Sequence, residues 1–289
     1  MNYLRLRQIC LVAHTLEPLV ADLCHVLGLT VCHRDPGVER FGLHNALMRV
    51  GSNFIEVVAP LPDGRGEGTA ATRHLARRGG DSGYMVILDC DELAPRRSHM
   101  TTVGVREAAY LEVPGETSET PAYQGLQLHP RDTGGALLEI NHTPAGDDLQ
   151  GAYWPAGPHW QEAPDSRLGL TLQGVVLFDA DGARLGKRWA QVLQRPLAPA
   201  APTEPLHETP GREVLTLDNA TTLAFASLEP TAPPTSRSTR TEGLSQINLL
   251  APNATTSGIF DRARARLCPV DAAGQAVKMG GVWWRIAGV

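Results

Sequence analysis

The chain of 289 residues has no apolar run long enough to cross a bilayer. Its opening, MNYLRLRQICLVAH, has neither the long apolar core nor the small-residue cleavage site of a secretory signal, so a cytoplasmic protein is expected. There is no basic run, and the net charge is -5, which argues against nucleic acid or an anionic membrane as the main partner. The five cysteines, Cys10, Cys24, Cys32, Cys90 and Cys268, are odd in number and form no CxxC pair. A disulfide framework and a zinc knuckle are therefore not indicated, and free thiols are expected. His14, His25, His33 and His44 have no metal-ligand spacing. The glycine-rich stretch RRGGDSG, Arg77 to Gly83, lacks the preceding strand and the Lys-Ser/Thr context of a phosphate-binding loop and reads as a hairpin or crossover.

What the chain does have is 42% hydrophobic residues and enough length for two domains with a core each. It also repeats itself. Gln8 to Ala13 is a β run, and Leu16 to Leu27 carries apolar residues at helical spacing and stops at Gly28. Strand-like runs follow at Leu29 to His33, Phe41 to Val50 and Asn53 to Val58, parted by Pro36-Gly37 and Gly51-Ser52 turn signals. That unit is βαβββ. An Arg/Gly-rich loop, Asp63 to Asp81, leads to a second one: strand Gly83 to Cys90, helix Asp91 to Val103, then strands near Arg106 to Val113, Leu126 to His129 and Ala136 to Ile140.

A connector, Thr143 to Ser166, carries Trp154 and Trp160, which would be exposed unless they packed between the halves. The pattern then returns more weakly. Leu170 to Phe178, a helix Gly182 to Leu193 with Trp189 where the first unit has Leu23, and Thr222 to Leu228 form a third unit. Leu244 to Leu250, Gly258 to Leu267 and Gly281 to Ile286 outline a shorter fourth. The segments Pro196 to Pro210 and Thr231 to Thr241 read as loops. The expected fold class is α+β, built from four tandem βαβββ modules, with domains at 1–142 and 168–289 and a connector at 143–167.

The segment His129 to Ile140, HPRDTGGALLEI, combines a tight turn with the entry to a short buried strand. Glu139 is the odd member of that strand. It either faces solvent at a sheet edge or turns inward, where an ionised carboxylate needs a metal, a donor or a substrate.

The order of strand, helix ending in LGL, then NFIEVVAP and LHPRDTGGALLEI resembles the vicinal oxygen chelate superfamily, which includes glyoxalase I, methylmalonyl-CoA epimerase, extradiol dioxygenases and bleomycin-resistance proteins. The resemblance covers residues 5 to 142 well and 168 to 289 in outline. It implies two glyoxalase-like domains, in each of which two modules pair into a cup and each module gives a metal one ligand from its first strand and one from its last. The last-strand positions are then Glu56 and Glu139, the first-strand positions Gln8 and Met85. Gln8, Glu56 and Glu139 could hold one divalent ion of Mn, Fe, Co, Ni or Zn, but the thioether of Met85, standing where histidine is usual, is a poor ligand for all of them. In the second half the matching positions fall near Gln173 or Gly174, at Gln246, at Ala226 and at Arg285, with no carboxylate among them. Extradiol dioxygenases carry iron in that half and are disfavoured, which leaves this half as scaffold or as an anion pocket on Arg285.

The expected ligand pocket is formed by Gln8, Phe41, Asn45, Met85 and His129, with Glu56 and Glu139 as catalytic candidates. Phe41 and Asn45 would alternate on one strand. Tyr84 and Met85, as neighbours on a strand, would face opposite sides. The resemblance makes His129 a wall residue or proton carrier of the cup; the alternative is a histidine whose ring nitrogen bonds a turn carbonyl. Two functions stay open: metal-free binding of a small polar molecule in the N-terminal cup, or a metal-dependent lyase or isomerase that abstracts a proton next to a carbonyl. The partner is a small molecule in either case, and the chain is a monomer or homodimer.

Overall fold

In the first strand, β1 (Leu4–Val12), leucines and isoleucine alternate with polar or smaller residues: Leu4, Leu6, Ile9 and Leu11 enter one large core, while Cys10 and Val12 join a smaller cluster on the opposite face. The computed structural model describes residues 3–115, 117, 122–200, 212–228 and 241–289. Helix α1 (Leu16–Leu27) follows and ends at Gly28, whose φ of 62° is the left-handed conformation that glycine adopts without penalty. Strands β2 (Val31–His33), β3 (Leu43–Val50) and β4 (Asn53–Pro60) complete the first module. Helix α2 (Ala70–Arg78) crosses to the second, made of β5 (Ser82–Cys90), α3 (Leu93–Thr102), β6 (Glu107–Val113), β7 (Tyr123–Leu128), the short helix α4 (Pro130–Thr133) and β8 (Leu137–His142).

These strands form one eight-stranded mixed sheet in the order β2-β3-β4-β1-β5-β8-β7-β6. Each module's first strand pairs parallel with its last, β1 with β4 and β5 with β8, and the two first strands meet antiparallel at the centre. The third module comprises β9 (Thr171–Asp179), α5 (Gly182–Leu193), β10 (Ala198–Pro199), β11 (Glu213–Thr216) and β12 (Thr222–Ser227). The fourth is β13 (Gly243–Ala251), α6 (Asn253–Ala265), β14 (Ala276–Met279) and β15 (Val282–Gly288). Together they form a seven-stranded sheet, β10-β11-β12-β9-β13-β15-β14. The α+β class and the four-module plan expected from the sequence are what the chain adopts.

One continuous apolar core joins the helix-bearing faces of both sheets, taking in Leu23 of α1, Trp189 of α5 and Ile259 of α6. The sheets also touch directly. A Cβ on Gly83 of β5 would lie 2.2 Å from the Leu244 carbonyl oxygen of β13, so only glycine allows that approach.

Several local expectations are corrected. The Arg/Gly-rich loop contains α2, and RRGGDSG is the end of that helix and the start of β5. Phe41 closes a 3-10 turn, Pro36–Phe41, instead of lying on β3, because Pro36 and the Asp35 cap, which accepts from the Gly37 N–H, favour a turn. Trp154 and Trp160 do not pack between the halves. Trp160 stands edge-on to Phe54 at 5.1 Å, and Trp154 stacks on Tyr123 at 4.6 Å, so the connector folds against the eight-stranded sheet. β10, β11 and β14 were not anticipated; each is four residues or fewer, too short for a periodic pattern. Most of the two segments read as loops, residues 201–210 and 231–240, lies outside the described residues.

Candidate functional site

Regular alternation would send Tyr84 and Met85 to opposite faces. The β1–β5 ladder instead pairs Cys10 with Met85 and Leu11 with Gly83, skipping Tyr84. This bulge turns Tyr84 and Met85 to the same side, where both line one cavity. A matching skip at Arg7, between the Leu6–Leu88 and Gln8–Ile87 pairs, shows the same device on β1.

The cavity has a volume of about 1300 Å³ and is lined by residues of β1, β3, β4, β5, β7 and β8 of the eight-stranded sheet. Gln8, Asn45, Glu56, Met85 and Glu139 line its interior, and all five are buried. Phe41, 42% exposed, and His129 also line it, so the structure brings together all seven residues singled out from the sequence. His129 caps α4: its Nδ1 accepts from the Arg131 backbone N–H at 3.3 Å, a turn bond to an amide rather than to a carbonyl.

The hydrogen bonds around the two carboxylates define the site. Gln8 Nε2 donates to Glu56 Oε2 at 2.7 Å, and Asn45 Nδ2 donates to Glu56 Oε1 at 2.7 Å. Glu139 accepts from the Tyr123 hydroxyl at 2.7 Å and from Gln127 Nε2 at 2.9 Å. Gln8 Oε1 in turn accepts from the Tyr153 hydroxyl at 3.2 Å, which ties the connector to the floor of the cup. Burial raises the Glu56 carboxyl above its ordinary 4.5; the bonds from Asn45, Cys10 and Gln8 oppose the rise and nearby Glu139 adds to it. The adjacent Cys10 thiol is pushed well up by burial and by Glu56.

Tyr123, Gln127 and Tyr153 were not anticipated. The usable signal was register: Gln127 stands directly opposite Glu139 on β7, and Tyr123 lies four residues earlier on the same face. The sequence pattern had placed the start of β7 at Leu126.

Beyond the carboxylate floor, the connector closes one end of the cup. Phe54 stacks on Tyr153 at 5.2 Å, and the buried Arg7 guanidinium lies 4.8 Å from the Tyr153 ring centre. Arg7 also donates to the Leu149 carbonyl at 3.0 Å. Next to it Arg5 pairs with Asp89 at 2.5 Å.

The donor set does not fit the divalent metal that this architecture implies. Both oxygens of each carboxylate are engaged by neutral donors, the Gln8 amide turns its NH2 to Glu56 and its oxygen to Tyr153, and Met85 supplies only a thioether. Among the described residues no three His, Cys, Asp or Glu side chains converge as a metal site. In the seven-stranded sheet the equivalent positions follow from the same ladder. Gly174 matches Gln8, Gln246 matches Met85, Arg285 matches Glu139, and the position of Glu56 is taken by Ala224, two residues before the Ala226 reached by counting. Arg285 donates to Gln275 Oε1 at 2.8 Å.

No protein-family model and no curated protein matches the chain. Among solved structures, a mutant form of 4-hydroxymandelate synthase from Streptomyces coelicolor is similar over 99% of this chain and 92% of its own, with a TM-score of 0.68 at 12% identity. A hypothetical protein from Staphylococcus aureus is similar over 99% of both chains, with a TM-score of 0.63 at 11% identity. Methylmalonyl-CoA epimerase from Mycobacterium tuberculosis aligns with 48% of this chain and 87% of its own, at 21% identity and a TM-score of 0.40. The two full-length likenesses are likenesses of fold. The chain has the fold of the vicinal oxygen chelate superfamily, in its two-domain form.

Proposed function

We propose that the eight-stranded half binds a small polar organic molecule in its concave cavity and does so without a metal. The observation that carries this reading is that each oxygen of Glu56 and Glu139 accepts a hydrogen bond from an amide or phenol donor, which stabilises two buried carboxylates by the means a metal would otherwise supply. Each carboxylate oxygen keeps acceptor capacity for a ligand hydroxyl or amine. The seven-stranded half serves as scaffold, with glycine, alanine and arginine where the other half has side chains facing the ligand. A cytoplasmic monomer or homodimer belongs to the same proposal.

Metal analysis of protein purified without chelator, together with calorimetric titration of Mn, Co, Ni and Zn, tests it. Sub-stoichiometric metal and no saturable binding are expected. A stoichiometric ion that is lost in Glu56→Ala and Glu139→Ala would overturn it.

A second reading rests on the raised Glu56 carboxyl. Such a group is a stronger base than a solvent-exposed carboxylate and would suit proton abstraction next to a carbonyl, with Gln8 donating to the developing oxyanion. Hydrogen–deuterium exchange at the α-carbon of a bound carbonyl compound, present in the native protein and absent in Glu56→Gln, separates an isomerase or lyase from a binding protein.

A further inference from the structure

The carboxylates occupy the floor of the cavity, and its remaining walls carry charge of the other sign. Arg40 from the 3-10 turn, Arg73 and Arg77 from α2, and Arg131 from α4 all line it. Arg73 and Arg77 are four residues apart and share one face of α2, while Ala71 and Leu75 are buried in the apolar cluster that also holds Tyr84 and Met85. Helix packing therefore fixes the direction of the two arginines.

These four guanidiniums have no carboxylate partner among the described residues. Arg65, which also lines the cavity, is paired with Asp63 at 2.7 Å and with Glu39 at 3.3 Å. Arg73 instead donates to the Gly68 carbonyl, Arg77 approaches His74 Nδ1 at 3.0 Å, and Arg40 lies over the Phe41 ring at 4.9 Å. The acids at the rim are already engaged: Asp35 accepts from the Gly37 N–H at 2.7 Å, Asp179 is 3.6 Å from Arg184, and Glu242 acts on Arg78. Guanidiniums that line one cavity from three elements and have no carboxylate partner among the described residues are an arrangement that recognises carboxylate or phosphate oxygens.

We propose that the cavity takes a polarised small molecule: a carboxylate or phosphate group held at the mouth by Arg40, Arg73, Arg77 and Arg131, and a hydroxyl or amino end donating to Glu56 and Glu139 at the floor. This rests on the binding function proposed above and adds to it the charge and the orientation of the ligand. A neutral molecule would gain no charge contact at the rim, and a simple cation would meet four like charges on entry.

Two fluorescent probes of nearly the same shape test the assignment, 8-anilinonaphthalene-1-sulfonate, which is anionic, and its neutral analogue N-phenyl-1-naphthylamine. The anionic probe is expected to bind the native protein about tenfold more tightly, the size of one favourable charge contact. Arg73→Gln with Arg77→Gln is expected to bring the two affinities within about threefold while leaving the neutral probe unchanged. Both changes are on the exposed face of α2, and a circular-dichroism melt verifies the fold. Met85→Trp, which fills the floor, is expected to abolish binding of both. Equal affinities in the native protein, a preference retained without Arg73 and Arg77, or binding that survives Met85→Trp would each overturn the inference. Failure of both probes to bind the native protein would overturn the cavity-binding reading itself, whereas a missing preference for the anion leaves that reading standing.

Discussion

Gln8 on β1 and Glu56 on β4 are joined side chain to side chain at 2.7 Å, with the amide NH2 directed at the carboxylate. The two residues lie on parallel neighbouring strands, where Glu56 is level with Cys10, two residues along from Gln8. Two positions that would act as co-ligands of a metal are here donor and acceptor of one bond.

Burial, which that bond only partly offsets, gives Glu56 a pH signature. Its folded value is raised above 4.5, mainly by burial, so the folded state holds the proton more tightly than the unfolded chain. The associated stability is complete below pH 4.5 and is lost as pH rises through the folded value. Glu56→Gln, which carries no charge to desolvate, is expected to gain thermal stability relative to the native protein as pH rises, by about 1–2 kcal/mol at the alkaline end. Melting curves from pH 4 to 9 measure this. A difference that stays constant with pH would rule out Glu56 as the titrating group.

Met85→His supplies the imidazole that the site lacks. Met85 lines the same cavity as Gln8, Glu56 and Glu139, and Co is a good ligand partner for imidazole and carboxylate. The variant is expected to bind Co(II) at least about tenfold more tightly than the native protein, with visible d–d absorption, because displacing amide and phenol donors costs less than a new nitrogen ligand gains. Unchanged Co(II) affinity in a folded variant would mean that these four positions do not converge.

The fold was legible because the strands are amphipathic and the module repeats. Leu16 to Leu27 was bounded to the residue by its periodicity and Gly28, and Glu56 and Glu139 were found through their places in two copies of one pattern. What was missed depends on geometry that alternation does not carry. A single skipped residue in the β1–β5 ladder turns Tyr84 into the cup, and no composition signal marks it. Tyr153 reaches Gln8 from 145 residues away, a contact made by the path of the connector. Helix α2 was hidden because AATRHLARR has only Leu75 as a large apolar anchor, too little to distinguish it from a charged loop.

Trp160 tests whether the connector is a structural part of the cup. It is 1% exposed, stands edge-on to Phe54 at 5.1 Å and has the Arg49 guanidinium 5.1 Å from its ring. Trp160→Ala leaves a large void beside Arg7 and is expected to cost about 3–5 kcal/mol, whereas Trp160→Phe is expected to cost less than half of that. Urea denaturation of both variants gives the comparison. If Trp160→Ala costs under about 1 kcal/mol, the connector is not part of the core.

His74 sets the acid limit of the α2 contact. Its Nε2 faces the Gly83 carbonyl at 3.2 Å and the Ser82 hydroxyl at 3.1 Å, while Nδ1 faces the Arg77 guanidinium at 3.0 Å. An acceptor at one nitrogen and an obligate donor at the other select the neutral ring with the proton on Nε2. Burial first, then Arg77 and Arg78, lowers its pKa from 6.5 to about 4. The unfolded chain therefore binds more protons between these values, and stability falls as pH drops from 6.5 towards 4. The ring is partly open to solvent, which screens the effect, so the loss is expected to be about 1–2 kcal/mol. His74→Gln can donate to the Gly83 carbonyl and accept from Arg77 without titrating, so over this interval its stability is expected to fall less than that of the native protein. Chemical denaturation at pH 6.5 and pH 4.5 reads the difference directly, and equal losses in the two proteins would show that the α2 contact is held by Ala71 and Leu75 alone.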